Sequence, residues 1–398
     1  MVNSTVKIFK KGSPNGRVFL YLGRREYVSC DGKMDPVEGV AHICDNKDYI
    51  EGKTLFASLV CTFRHGREED EVMGVSFKKE LIVDRCEIPT SNNTDDLTKL
   101  QSRLTRKLGD MAFPFILNFP EIAPNSVLIR GDEGDASQMG VNYEVRVHIG
   151  DGPSDFKGTK KSSVSMSIRK TQWVGVPNEK RCPTATADKG FLCSKGKIVL
   201  ECKLDNEIVY HGQDIPINVS IHNNSNKSVK SIKCVIVQHC EMTLVQAQYS
   251  CKVARLETKD GCPLGPGASM NRTFTMKPLS QMCGCERGLA LDAALSKVTD
   301  ETNLASSSIA ESGDPNDLLG VIVSYSIKVK LVLSGMGGEL EVDVPFKLLH
   351  PRPESEEADK LQELKKETAK TVQSNKRRQK FQAQDSVLVD TFGTSQEE

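Results

Sequence analysis

Short runs in which apolar residues take every second place dominate the chain, and that period leaves little choice of fold. Leu55, Ala57, Leu59, Cys61 and Phe63 alternate in one run, and Tyr143, Val145, Val147 and Ile149 in another. Ile215, Ile217, Val219 and Ile221 make a third, and Ile327, Val329, Leu331 and Leu333 a fourth. Successive side chains of a strand point to opposite faces, so period two marks strands buried on one face. Gly, Pro, Asn and Asp clusters separate the runs, as antiparallel turns require. Such runs fill 5–85, 113–175 and 195–347. A chain of 398 residues exceeds one ordinary core, so an all-β fold of two immunoglobulin-like antiparallel β-sandwiches is expected.

One segment breaks the period. Leu97, Leu100, Leu104 and Leu108 follow a helical stripe. Thr94, Asp95 and Asp96 offer a cap and favourable charge before it, and Gly109 ends it. One short amphipathic helix is therefore expected inside the first sandwich, its leucines against a sheet.

The first domain is expected over 1–176 and the second over 193–351. Between them 177–192 holds Pro177 and Pro183 without periodicity and reads as a hinge. After Pro351 and Pro353 the composition turns to Glu, Lys and Gln, so 352–398 reads as a flexible tail with an apolar tip at Val387, Leu388, Val389 and Phe392. Lys plus Arg and Asp plus Glu both count 53. That balance provides no global field for nucleic acid, so anions must be met by local clusters. No apolar run is long enough to cross a bilayer as a helix. The opening residues carry no apolar signal core, and the 13 cysteines are an odd count. Both suit reduced thiols in a cytoplasmic protein. Cys283 and Cys285 read as thiols in a Gly-containing loop. No Cys/His group has structural zinc spacing, and no cofactor is expected.

Several stretches in sequence resemble the arrestin family. VKIFKKGSPNGRVFLYLGRREYV (6–28), DPVEGV (35–40) and FRHGREEDEVMGVSFKKEL (63–81) are similar to its opening strands. KLQSRLTRKLGDMAFPF (99–115), SIRKTQW (167–173), KGFLCSKGKI (189–198) and SVKSIKCVIVQH (228–239) continue the likeness. LETKDGCPLGPG (256–267), GLALD (288–292), TNLASS (302–307), VSYSIKVKL (323–331) and DVPFKLLHP (343–351) complete it. The wording GREEDEVMGV is most similar to invertebrate visual arrestins. The resemblance implies two cupped β-sandwiches that bind an activated, phosphorylated G-protein-coupled receptor, rhodopsin among them, and block its G protein. It implies no enzyme activity; GDEGD (131–135) and GMGGEL (335–340) are loop glycines without nucleotide-binding context.

It also implies roles for particular residues. Arg169 alone would read as an exposed strand arginine. By resemblance it is the phosphate sensor, buried between the domains and held by carboxylates. Guanidinium stays charged and offers a planar fork of donors to carboxylate or phosphate. Asp292 matches one carboxylate of this polar core, and Asp300 and Glu301 compete for a second. The first-domain aspartate of the family falls on Ser29, and the tail arginine on Thr394. Losing anion and cation together leaves no lone buried charge; Asp31, two residues on, is a candidate replacement for the first. Lys10, Lys11, Arg25 and Lys107, with Lys160 and Lys161, are the implied phosphate-capturing cations. Val387, Val389 and Phe392 are the implied tail anchors, expected to meet Leu100, Leu104 and Leu108 beside Ile8 or Phe9. Arg67, Glu68, Glu69, Asp70, Glu71, Val72 and Met73 form the implied finger loop that enters the receptor.

A secondary inositol hexakisphosphate or phosphoinositide site is implied at Lys233 and Lys328, with Lys252 and Lys330 near. It is thinned by Val237, Ser250 and Ser326 at other basic positions. A trafficking adaptor would need a clathrin box and a Phe followed by arginines. Leu81–Asp84 lies in an expected strand, and no Arg follows Phe392. Clathrin binding is therefore expected to be weak, and signal shut-off is favoured over endocytosis.

Overall fold

The computed structural model describes residues 6–30, 33–44, 50, 52–66, 77–90, 97–120, 122–131, 139–150, 152, 160–174, 181–191, 196–280, 287–293, 295, 303–309, 320–351 and 386–390. The first lobe packs a five-stranded sheet against one end of a larger sheet. The five-stranded sheet runs Ser386–Asp390, Val6–Gly12, Val18–Leu22, Val37–Ile43 and Ala112–Leu117. Its partner strands are Thr54–His65, Phe77–Ile88, Met139–Gly150 and Ser163–Val174. The second lobe pairs a four-stranded sheet (Thr184–Gly190, Lys197–Leu204, Ile215–Asn223, Ser269–Met276) with Val229–Met242, Ala247–Thr258, Val321–Leu333 and Glu339–Pro351. The expected all-β architecture is what the chain forms.

The alternating residues fill the two cores. Leu55, Leu59, Tyr143 and Val145 are buried in the first lobe, and Ile217, Ile221, Ile327 and Leu331 in the second. Each such side chain contributes about 1.5–3 kcal/mol on burial, so alternation over many strands specifies register as well as face. The lobes' large sheets meet through a short parallel splice in which Trp173 stands opposite His350 and Val174 opposite Pro351.

The helix spans Lys99–Leu108 and ends on Gly109 at φ 82°, the positive φ that glycine adopts without strain. Its start differs from the expectation at Thr94–Asp96, which lie outside the described residues. Thr98 is the cap: its hydroxyl accepts from the Gln101 amide at 3.3 Å, and its own amide donates to Gln101 Oε1 at 3.1 Å. This reciprocal box satisfies two amides that a helix start leaves open. Gln101 is buried and donates to the Phe115 carbonyl at 2.9 Å, tying the helix to the sheet. Leu104 packs with Ile8, Tyr21, Val40 and Ala112, flanked by Leu100 and Leu108. A side chain at Gly23 would place Cβ 2.5 Å from the Cδ2 methyl of Leu100, so that leucine would have to shift. Thr98→Ala is expected to lower stability by about 1 kcal/mol, seen as a lower urea midpoint at unchanged slope.

Within the stretch 177–192, residues 181–191 are described and they include regular structure. Thr184–Gly190 is a strand, antiparallel to Lys197–Leu204 along its whole length. Its half-buried positions include Ala185 and Ala187, which pack on the core.

Candidate functional site

The site lies where the two lobes are spliced. Arg169 sits on Ser163–Val174, whose neighbour Ile168 pairs with Tyr143. From Arg169 onward the strand also runs parallel to Glu26–Cys30, with Arg169 opposite Glu26 and its amide donating to the Arg25 carbonyl at 2.7 Å. Asp292 comes from the other half of the chain. Its segment, Ala290–Asp292, pairs with Val127–Ile129 of the first lobe. Gln238, buried on a second-lobe strand, fixes that segment. It donates to the Ala290 carbonyl and accepts from the Ala290 amide, both at 2.8 Å, and donates to the Tyr325 hydroxyl at 2.7 Å. Tyr325 in turn donates to the Ala305 carbonyl at 2.5 Å.

Arg169 Nη2 meets Asp292 Oδ2 at 3.2 Å, with side chains 19% and 9% exposed. Arg169 Nη1 is 3.7 Å from Glu26 Oε1, but that carboxylate is 61% exposed. Water screens the second contact and not the first, so the Asp292 pair carries the interaction. Arg169 Nε is buried without a hydrogen-bond partner among the described residues. The same Asp292 oxygen accepts from His350 Nε2 at 2.7 Å. His211 stacks on His350 with ring centres 4.3 Å apart, and its Nε2 lies 3.0 Å from Ser306 Oγ. Burial acts to raise the Asp292 carboxyl, but the His350 hydrogen bond, with the His350, Arg169 and His211 charges, outweighs it and holds the group below the usual carboxylate range. Burial, aided by the His350 and Arg169 charges against Asp292, pushes His211 down to about 4.

Arg169 and Asp292 are thus brought together. Asp300, Glu301 and Asp31 lie outside the described residues. Ser29 is buried opposite Gln172 and brings no charge. Glu26, His350 and His211 were missed by sequence reasoning. Their signals were faint: a charge in GRREYV, and single histidines before Pro351 and after Tyr210. Glu26→Gln is expected to change stability by less than about 1 kcal/mol in urea unfolding, because the contact is long and wet.

The tail strand Ser386–Asp390 docks antiparallel on the first strand. Ser386, Val387, Leu388, Val389 and Asp390 stand opposite Lys10, Phe9, Ile8, Lys7 and Val6. Ile8 packs with the helix, so the register sets Leu388, rather than Val387 or Val389, opposite the helix-bound residue. Phe392 and the finger-loop residues Arg67, Glu68, Glu69, Asp70, Glu71, Val72 and Met73 lie outside the described residues.

The first strand divides the basic residues. Lys10 shares the parity of Ile8 on the helix side, with Nζ 4.3 Å from the Phe19 ring centre. Lys107 lies in the last turn of that helix. Lys11 shares the parity of Phe9, and the Arg25 guanidinium is 5.7 Å from the Phe9 ring. The Lys161 carbonyl accepts from Asn15 at 3.0 Å, bringing the Lys160–Ser162 turn to the end of this strand.

On the second lobe Lys233 stands opposite Lys330. Lys233 pairs with Glu257 at 3.2 Å, Lys328 with Asp343 at 3.6 Å, and Lys330 with Glu339 at 2.8 Å and Glu341 at 3.0 Å. Lys252 stands opposite Val237. Leu81–Asp84 lies within Phe77–Ile88. No described helix is long and apolar enough to cross a membrane.

Two β-sandwiches are spliced sheet to sheet, with an arginine–aspartate ion pair at the joint and a tail strand laid on the first lobe. Residues 18–172 match the family described as Arrestin (or S-antigen), N-terminal domain, and 194–353 match its C-terminal domain. An arrestin homolog of Locusta migratoria is 44% identical, covering 91% of this chain and 88% of its own length. Phosrestin-1 of Drosophila melanogaster is 45% identical, covering 91% and 90%. The lateral-eye arrestin of Limulus polyphemus is 41% identical, covering 87% and 85%. The chain belongs to the arrestin family.

Proposed function

We propose that the protein binds an activated, phosphorylated G-protein-coupled receptor, of the rhodopsin class, and ends G-protein signalling by steric block. The observation that carries this reading is the buried Arg169–Asp292 pair across the lobe joint. A receptor phosphate brings roughly −1.5 to −2 charge and can draw the guanidinium away from Asp292. Lys10, Lys11, Arg25, Lys107, Lys160 and Lys161 line the route by which it arrives. Phosphate and the tail strand compete for the first strand, so capture of one releases the other.

The similarity to a lateral-eye arrestin supports a photoreceptor setting, with a cytoplasmic protein recruited to the receptor-bearing membrane. The chemistry is binding, with no turnover. Inositol phosphate binding at Lys233, Lys252, Lys328 and Lys330 is the weaker part, since an anion must compete there with carboxylates. Co-sedimentation with rhodopsin membranes in dark and light, with and without receptor phosphates, tests the reading. Strongest binding is expected to lit, phosphorylated membranes. Equal binding with and without phosphate would overturn it.

A further inference from the structure

Asp292, the partner of Arg169, also belongs to an arrangement with two histidines that phosphate sensing does not use. Among the described residues, His211, Asp292 and His350 bring one donor atom each to within 4.8 Å of one another. They come from separate strand ends, His350 being 58 residues from Asp292, so no ligand spacing appears in the sequence. Tetrahedral donors about 2.1 Å from one zinc ion stand about 3.4 Å apart, so side-chain movement of about 1–1.5 Å closes the set. Ser306 at 3.0 Å from His211 Nε2 is an outer partner able to hold the ring.

We propose that His211, Asp292 and His350 form a binding site for a divalent first-row transition ion, Zn2+ in preference to others, and that this ion competes with Arg169 for Asp292. Two imidazoles and one carboxylate suit Zn2+, which has no geometric demand of its own, and disfavour Mg2+ and Ca2+, which take oxygen ligands. Competition follows from a single atom. Asp292 Oδ2 already faces both His350 Nε2 and Arg169 Nη2. A divalent charge on that oxygen displaces the His350 hydrogen bond and repels the guanidinium. The site stands on geometry alone. Only its meaning for signalling, release of the lock without phosphate, rests on the proposed function.

The test uses the full chain without receptor, so it can fail independently of that function. Co2+ absorption on the unaltered protein is expected to show nitrogen and oxygen ligands at the tight site, without a thiolate charge-transfer band. Calorimetric Zn2+ titration is expected to weaken about tenfold or more in His211→Asn and in His350→Asn, and to leave Mg2+ without effect. Arg169→Gln is expected to tighten Zn2+ binding by about tenfold, because linkage between competing partners is reciprocal. A thiolate band at the tight site, unchanged affinity in the folded histidine variants, or binding weaker than about 1 mM in the unaltered protein would each overturn the site. Unchanged affinity in Arg169→Gln would overturn the competition. The Co2+ spectrum needs no variant, so a substitution that fails to fold leaves the test standing.

Discussion

Arg169→Gln is expected to bind lit rhodopsin almost as well without receptor phosphates as with them. The argument is electrostatic. Guanidinium and Asp292 meet at 3.2 Å where water barely reaches, and neutralising one partner removes the attraction that a phosphate would otherwise have to overcome. Breaking a buried pair costs about 3–5 kcal/mol of stability because a lone charge is left behind. The lower end applies here, about 3 kcal/mol, since His350 still donates to Asp292 at 2.7 Å. Urea unfolding measures the loss, and membrane co-sedimentation measures the change in selectivity. The double variant Arg169→Gln/Asp292→Asn is expected to regain part of the stability, giving a coupling energy between residues in direct contact. Retained phosphate dependence in a folded Arg169→Gln would dismiss this arginine as the sensor.

Removing 386–398 is the second large effect. It is expected to raise binding to active, unphosphorylated receptor by about tenfold, or about 1.4 kcal/mol. The reason is how lightly the tail is held. Five residues pair with the first strand. Each backbone hydrogen bond contributes about 0.5–1.5 kcal/mol net, while ordering each residue costs about 1–2 kcal/mol. The backbone terms nearly cancel, so a modest competitor for the first strand would suffice to displace the tail. Hydrogen exchange at the amides of Val6–Lys10 is expected to quicken in the truncated chain. Unchanged exchange and unchanged selectivity together would remove the tail from the mechanism.

The sheets were legible because half-buried strands write their period into the sequence, as Leu55–Phe63 and Ile215–Ile221 do. Thr184–Gly190 escaped because its inward positions include Ala185 and Ala187, too small to stand out from a loop. The helix start was readable and misread. Thr98 is followed three places later by Gln101, the spacing a capping box requires, whereas Thr94 has no such partner. The site was legible only in part. Arg169 and Asp292 were assigned by resemblance; a strand arginine alone reads as solvated. Glu26, His211 and His350 reach the lock through parallel pairing and lobe contact, and no local pattern encodes partners so far apart in the chain.

Were Ser386–Asp390 to leave, Val6–Gly12 would become the rim of its sheet, with a row of amides and carbonyls turned to water. Such rims adhere to any extended chain, including a second copy. Lys7, Lys10 and Lys11 then act as gatekeepers: like charge repels an identical rim and admits a segment carrying negative charge. On the proposed mechanism one five-residue strand would bear on solubility as well as on the choice of what replaces it.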